Sequence, residues 1–244
     1  MIDRLMGYYA GYKFKDVDSS YQPSMAIQSS QLSNEKGGFL TVLFPPWRGG
    51  DGAYNVLAKR LAKRGSAVLS YKFHHDILEP DVERTIGSFT YIQSTVVNEL
   101  KRLAEAHHYK DVYLIGSSLG NVSLALVAKA FPDFTSATMV VAGSNLARCV
   151  WEGDRTQSIR QGFEAQGIDE ATLARAWQAL APMSAGSSFA GKDVHMIVST
   201  TDKIIPATYQ QEMVETVATF AERMDVKASK LGHIASVANY CLRG

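Results

Sequence analysis

The pentapeptide GSSLG, residues 116–120, places a serine between two glycines at a spacing that could support nucleophilic chemistry. The apolar run DVYLI precedes it and the helical pattern NVSLALVAKA follows it, so Ser118 is predicted to lie on a sharp turn from a strand into a helix. Gly116 and Gly120 fit a strained turn in which two backbones approach too closely for a Cβ atom. The helix N-terminus would favour the negative charge that develops when Ser118 attacks a carbonyl carbon. A structural serine in a tight turn is the alternative.

A nucleophilic serine also needs a base that accepts its proton and a carboxylate that holds the base in one tautomer. The stretch VHMIVSTTDKIIP places Asp202 just past the carboxyl end of a predicted strand, and KLGHIASVANY places His233 in the loop after the following strand. The chain order Ser, Asp, His is one in which such triads occur, and all three residues fall where parallel strands end. The alternatives are a turn or cap role for Asp202 and a helix cap role for His233.

The elements that must position these residues alternate between short apolar runs and longer helical patterns. This alternation predicts an α/β fold with a mostly parallel sheet covered by helices. Strands are predicted at 38–44, 66–73, 111–116, 135–143, 192–200 and 224–230, and helices at 53–65, 83–107, 121–131, 206–223 and 233–242.

Two further segments extend this pattern. The first forty residues, which contain several aromatic side chains and the turn-like NEKGG, are predicted to form antiparallel strands. Residues 144–185 lie between the strands predicted at 135–143 and 192–200 and exceed an ordinary αβ connection, so a small helical lid is expected there. Within it, Asp169 is predicted to cap a helix that Ile168 staples. The whole chain, 1–244, is expected to form one domain with this insertion.

Composition limits the classes of function. With 244 residues, 46% of them hydrophobic, the chain can bury one substantial core, and its net charge of +1 gives no signature of a nucleic-acid or acidic membrane partner. Cys149 and Cys241 have neither a metal-ligand spacing nor a disulfide framework and are interpreted as packing residues. No stretch has the length and apolar character of a membrane span, and the start lacks the pattern of a signal peptide. A cytoplasmic protein with a small-molecule partner is expected.

From about residue 38 onwards the sequence resembles the serine hydrolases of the α/β-hydrolase superfamily. GSSLG, the acid loop TTDKIIP, the LGH tripeptide and the loop PPWRGG carry the resemblance. It implies a mostly parallel sheet of about eight strands flanked by helices, a lid inserted after the sixth strand, and hydrolysis of an acyl group through a serine ester. The triad would then consist of Ser118 as nucleophile, His233 as base and Asp202 as the residue that orients His233.

The loop after the third strand of that family usually reads His-Gly-x-x-Gly, whereas the matching stretch here is PPWRG, residues 45–49. Two backbone N–H groups are needed to stabilise an oxyanion. One is expected from Leu119, which follows the nucleophile. Because Pro45 and Pro46 have no N–H, the second is expected from Trp47.

The function predicted from these residues is that of an esterase or thioesterase acting on a small molecule. The residues leave ester, thioester, amide and carbon–carbon bond cleavage open, because the same machinery serves all four. A noncatalytic protein that binds a ligand or partner in the same pocket is the alternative from another class. No cofactor is expected, since neither dinucleotide nor P-loop glycine motifs occur, and His74 and His75 lack a spaced third ligand for a metal. Arg148, Trp151 and Arg155 could meet a substrate carboxylate or could form a solvated face.

Overall fold

Six parallel strands form the sheet in the described part of the chain, which comprises residues 38–47, 51–73 and 75–243 of a computed structural model. The strands are β1 (Phe39–Phe44), β2 (Ser66–Ser70), β3 (Asp111–Ser117), β4 (Ser136–Val140), β5 (Asp193–Ser199) and β6 (Arg223–Ser229). They are hydrogen-bonded in the order β2-β1-β3-β4-β5-β6, and every neighbouring pair is parallel.

The helices between the strands cover both faces of this sheet. They are α1 (Asp51–Lys63), α2 (Val82–His107), α3 (Gly120–Ala130), α4 (Leu146–Glu152), α5 (Gln157–Glu164), α6 (Glu170–Ala176), α7 (Ala207–Ala218) and α8 (His233–Arg243). Shorter 3₁₀ segments lie at His75–Ile77, Gln178–Leu180 and Pro182–Phe189. On one face α1 and α8 pack against Leu43, Val68 and Val140. The other face buries the larger cluster, to which α2, α3 and α7 contribute.

Helix α2 shows how the sequence pattern selects the buried face. Its apolar residues recur at intervals of three and four, which places them on one side of the helix. The residues predicted to share that side are all buried, namely Ile92, Val96, Val97, Leu100 and Leu103. The first turn is capped by Asp81, whose carboxylate accepts from the N–H of Arg84.

Two strands are shorter than their sequence predicts, for different physical reasons. Strand β2 was expected to reach residue 73 but ends at Ser70, because its partner β1 ends at Phe44 and pairs Leu43 with Ser70. Strand β4 was expected to reach residue 143 but ends at Val140, since Val141 has a left-handed φ of 46° that breaks the extended backbone.

The order of the strands reverses at β1, because the chain passes from β1 to β2 on one side and then crosses to β3 on the other. In open parallel sheets, such a reversal leaves a crevice outside the carboxyl ends of the strands. The turn that carries Ser118 directly follows β3, so this crevice is where the functional residues are expected.

The expected eight strands are not reached within the described residues, where six are present. The antiparallel strands predicted for the first forty residues lie almost entirely outside the described part. Across the described ranges, no helix combines the length and apolar character that crossing a bilayer requires. Both cysteines are buried and unpaired.

Candidate active site

Ser118 lies on a tight turn between the end of β3 and the start of α3. Its φ of 52° is left-handed, a conformation that destabilises a non-glycine residue by on the order of 1 to 3 kcal/mol. The N–H of Ser118 donates to the carbonyl of Val140 at 2.9 Å, and the side-chain amide of Asn121 donates to the carbonyls of Ser118 and Val140 at 3.1 and 2.9 Å. These bonds hold the strained backbone so that the hydroxyl is presented at the carboxyl edge of the sheet.

The two glycines of the pentapeptide have no room for side chains. A Cβ atom on Gly120 would lie 2.2 Å from the carbonyl oxygen of Phe44 and 2.6 Å from that of Pro45. On Gly116 it would lie 2.8 Å from the side-chain oxygen of Asn121. The first contact is with backbone that cannot rotate away, so Gly120 allows the end of β1 to pass directly over the start of α3.

Ser118, His233 and Asp202 form a continuous hydrogen-bonded chain. The Oγ of Ser118 lies 2.8 Å from Nε2 of His233, and Nδ1 of His233 lies 2.7 Å from Oδ2 of Asp202. A carboxylate only accepts, so Nδ1 carries the proton and the lone pair of Nε2 faces the Ser118 hydroxyl. The side chains of His233 and Asp202 are 9% and 0% exposed, so little water competes for the hydrogen bonds between the three residues. This tautomer allows His233 to accept the serine proton.

Both carboxylate oxygens of Asp202 accept hydrogen bonds. Its Oδ1 accepts the backbone N–H groups of Ile204 and Ile205 at 2.8 and 2.9 Å. Its Oδ2 accepts from Nε2 of Gln210 at 3.1 Å in addition to His233. Four hydrogen-bond donors therefore fix the orientation of a carboxylate that lies out of solvent.

Gln210 is a component of the site that the sequence did not reveal. Its side chain is fully buried at the start of α7, where Oε1 accepts the N–H of Ser199 at 2.8 Å. Its Nε2 donates to the carbonyl of Ile205 at 2.8 Å as well as to Asp202. The amide thereby links the end of β5 to the acid loop. No local pattern distinguishes this glutamine from others on amphipathic helices.

The loop that delivers His233 is fixed by hydroxyl groups. The carbonyl of Leu231 accepts from Oγ of Ser199 at 2.6 Å and from Oγ of Ser236 at 2.7 Å. Ser236 also bonds the hydroxyl of Ser229 at 3.0 Å. Helix α8 begins at His233 itself, so the imidazole is anchored by the strand before it and the helix after it.

Leu119 and Trp47, the two residues expected to supply the oxyanion donors, line the same cavity as Ser118. Trp47 is half-buried and lies three residues beyond the end of β1. The carbonyl of Phe44 accepts from the hydroxyl of Tyr54 at 3.1 Å, and the same hydroxyl bonds Oγ of Ser117. Tyr54 thereby ties the approach to Trp47 to the end of β3. The donor roles of Leu119 and Trp47 remain predictions.

Residues 144–185 contain three helices and two 3₁₀ segments, and they form one wall of the cavity. Helix α4 contributes Leu146, Cys149 and Val150 to it. The far end of the segment is attached to the start of α2, where the indole N–H of Trp177 donates to the carbonyl of Val82 at 3.3 Å. Asp169 caps α6 through the N–H of Thr172 at 2.8 Å, as predicted.

Two further polar side chains in the described part of the chain each lie beside an acidic residue. Arg148 is paired with Glu212 at 3.1 Å and its guanidinium lies 4.2 Å from the ring centre of Tyr209. His195 lies on β5, where Nδ1 is 3.5 Å from Asp225. His74 lies outside the described residues. Within the described ranges, no group of three or more histidine, cysteine or acidic side chains could hold a metal.

Solved structures of other proteins are similar in fold to this chain. An esterase from Pyrococcus furiosus is 13% identical over 84% of this chain and 76% of that chain, with a TM-score of 0.57. An acetyl xylan esterase from Paenibacillus sp. R4 is 15% identical over 80% of this chain and 68% of that chain, with a TM-score of 0.62.

An acylaminoacyl peptidase from Pyrococcus horikoshii is 10% identical and has a TM-score of 0.63. The alignment covers 87% of this chain but 36% of the peptidase, so the similarity concerns one part of that larger protein. Neither a protein-family model nor a curated protein sequence matches the chain. At these identities, the shared property is the fold.

Proposed function

Because the chain has the α/β-hydrolase fold, we propose that it is a serine hydrolase that cleaves an acyl ester or thioester of a small molecule. The observation that carries the proposal is the hydrogen-bonded chain from Ser118 through His233 to Asp202, with distances of 2.8 and 2.7 Å. Its nucleophile is the residue that the fold holds in a left-handed turn at the carboxyl edge of the sheet.

In the first half of the proposed reaction, Oγ of Ser118 attacks the acyl carbon while its proton moves to Nε2 of His233. The carbonyl oxygen becomes an oxyanion, for which the backbone N–H groups of Leu119 and Trp47 are the proposed donors. The buried carboxylate of Asp202 stabilises the imidazolium. The tetrahedral intermediate then collapses, and the departing alcohol or thiol takes the proton from Nε2.

In the second half, His233 removes a proton from a water molecule that attacks the acyl-Ser118 ester. The carbon–Oγ bond breaks, the carboxylic acid leaves, and Ser118 regains its proton from His233. The leaving group carries away the proton first taken from Ser118, and a proton from the attacking water replaces it, so the triad is regenerated. No cofactor takes part in these steps.

The sequence and the site together lead us to propose a lid, a cellular location and a partner for this reaction. Residues 144–185 are proposed to act as a lid over the cavity, as an insertion in a single domain. A cytoplasmic location is proposed, and the two free, buried cysteines are compatible with it. The proposed partner is a small-molecule substrate.

Hydrolysis of p-nitrophenyl acetate and p-nitrophenyl butyrate tests the proposal. We expect turnover with an initial burst of p-nitrophenol equal to the enzyme concentration if acylation is faster than deacylation. Ser118→Ala should lower kcat by on the order of 10⁵ to 10⁶. Ser117→Ala is the matched control, since it removes the adjacent hydroxyl and should retain activity within about tenfold, the effect of a hydrogen bond of about 1 kcal/mol. Equal activity of wild type and Ser118→Ala would refute the proposal.

A further inference from the structure

The cavity beside Ser118 has an apolar wall. Of the described residues that line it, none carries a formal charge. The wall includes the side chains of Leu78, Val122, Leu146, Cys149, Val150, Pro182 and Ile205. The hydroxyl of Thr156 also lines it but donates within the protein, to the carbonyls of Val150 and Gly153 at 2.7 and 2.9 Å. The wall therefore offers mainly dispersion contacts and burial to an occupant.

Arg148 and Glu212, two charged residues near this wall, are already paired with each other. Arg148 precedes Cys149, but its guanidinium contacts both oxygens of Glu212 at 3.1 Å. Glu212 also accepts from the hydroxyl of Ser144 at 2.7 Å. A carboxylate or ammonium on an acyl group would find no charged side chain among the described residues that line the cavity, which strongly disfavours its transfer from water.

The size of the cavity limits the length of an occupant. Its volume is about 60 Å³. Since one water needs about 10 to 15 Å³ of such space, the cavity holds roughly four to six groups of that size. An acyl group of roughly three to five carbons, counting its carbonyl, matches that space.

Cys149 is a closely packed residue of the cavity wall. A Cβ atom on Gly143 would lie 2.4 Å from Sγ of Cys149 and 3.0 Å from Ile205, so the sulfur packs directly over the glycine. Burial raises the pKa of the Cys149 thiol to about 12, and the neutral thiol behaves as a small apolar group. The side chain at 149 is therefore a part of the wall whose volume directly changes the space beside Ser118.

We propose that this cavity binds a short, uncharged acyl group and that the Cys149 side chain sets the length it accepts. The inference rests on the proposed hydrolase function and adds to it the class of acyl group. The contacts of helix α4 with the cavity, rather than those of the triad, then determine the preferred substrate.

The test measures kcat/KM for p-nitrophenyl acetate, butyrate, hexanoate and octanoate, which share one leaving group, and for p-nitrophenyl monosuccinate. Wild type should prefer butyrate, with octanoate and monosuccinate at least about tenfold lower. Cys149→Ala should raise the hexanoate to butyrate ratio about fourfold, the effect of one buried methylene. Cys149→Leu should lower the butyrate to acetate ratio roughly tenfold, because the larger side chain overfills the cavity.

Cys241→Ala is the matched control, since Cys241 is the other buried cysteine and packs on the opposite face of the sheet. It should leave every ratio unchanged. Ratios of kcat/KM are independent of the fraction of folded enzyme, so partial unfolding of a variant does not obscure the result. The Ser118 labelling rate with a fluorophosphonate shows that each variant keeps a competent nucleophile.

Two outcomes overturn the inference in distinguishable ways. Normal hydrolysis with a length profile that is insensitive to residue 149, or equal use of monosuccinate and butyrate, overturns the inference alone. Neither hydrolysis nor labelling of Ser118 in folded wild-type protein overturns the proposed function and the inference with it.

Discussion

The two ends of the site are built differently. The acid end, formed by Asp202, Gln210 and His233, is buried, and the carboxylate of Asp202 accepts four hydrogen bonds. The proposed oxyanion end, at Leu119 and Trp47, would depend on backbone N–H groups, and Trp47 is half-buried in the loop after β1. Side-chain chemistry fixes the first end, whereas backbone position would fix the second. Substitutions at the two ends should therefore be detected by different measurements.

The largest effect is expected at the acid end, from Asp202→Asn. An amide can donate to Nδ1 of His233, which would favour the tautomer with its proton on Nε2 and leave no acceptor for Ser118. In serine hydrolase triads this change lowers kcat by about 10⁴. Steady-state kinetics on p-nitrophenyl butyrate measure it, and a melting curve shows whether the fold persists. A folded variant with kcat within tenfold of wild type would mean that Asp202 does not orient the base.

Trp47→Pro tests the oxyanion end, because proline removes the backbone N–H while Trp47→Ala keeps it. Loss of one oxyanion donor typically lowers kcat by on the order of 10² to 10³. Trp47→Ala should alter the preference among substrates more than kcat. Circular dichroism and fluorophosphonate labelling at Ser118 control for distortion of the loop. Near-wild-type kcat in folded Trp47→Pro would place the second donor elsewhere.

Gln210→Glu changes one of the hydrogen-bond donors to Asp202. The introduced carboxyl keeps an oxygen for the N–H of Ser199, and when protonated it can still donate to Asp202. As pH rises and it ionises, the donor is replaced by a negative charge. The ratio of variant to wild-type kcat should fall by about tenfold across that ionisation, a size expected for a hydrogen bond to a charged group. A pH-independent ratio would assign Gln210 to packing alone.

The smallest effect is expected from Tyr54→Phe, which removes the hydroxyl that bonds Phe44 and Ser117. Burial raises the pKa of Tyr54 well above its usual value, so the hydroxyl stays neutral and its loss removes no charge. We expect a loss of about 1 kcal/mol in the free energy of unfolding and a change of less than about threefold in kcat. Urea denaturation and steady-state kinetics measure the two. A larger loss in kcat than in stability would show that Tyr54 positions the oxyanion loop.

Local signals account for what the sequence predicted. Ser118, Asp202 and His233 each follow a strand, so their meeting at one edge follows from the parallel sheet. The requirement for Gly120 follows from the close approach of backbone at the turn. These inferences need only the order of elements along the chain.

Long-range contacts account for what the sequence did not predict. Gln210 and Tyr54 act through partners that only the folded chain brings near, such as Ser117 for Tyr54, which lies 63 residues away. Cys149 was expected to be a packing residue, and only the folded structure shows that it lines the same cavity as Ser118. Strand ends depended on the lengths of neighbouring strands and on one left-handed residue, Val141, neither of which an apolar run reveals.

Covalent labelling with a fluorophosphonate is the direct test of Ser118 as the nucleophile, because the reagent reacts with an activated serine whatever the natural substrate is. Peptide mapping by mass spectrometry should find one label per molecule of wild-type protein, on Ser118. The label should be absent from Ser118→Ala and present in Ser117→Ala, which differ only in which of two adjacent hydroxyls is removed. Absence of label from folded wild-type protein, or a label on Ser117 in place of Ser118, would show that Ser118 is not the activated nucleophile.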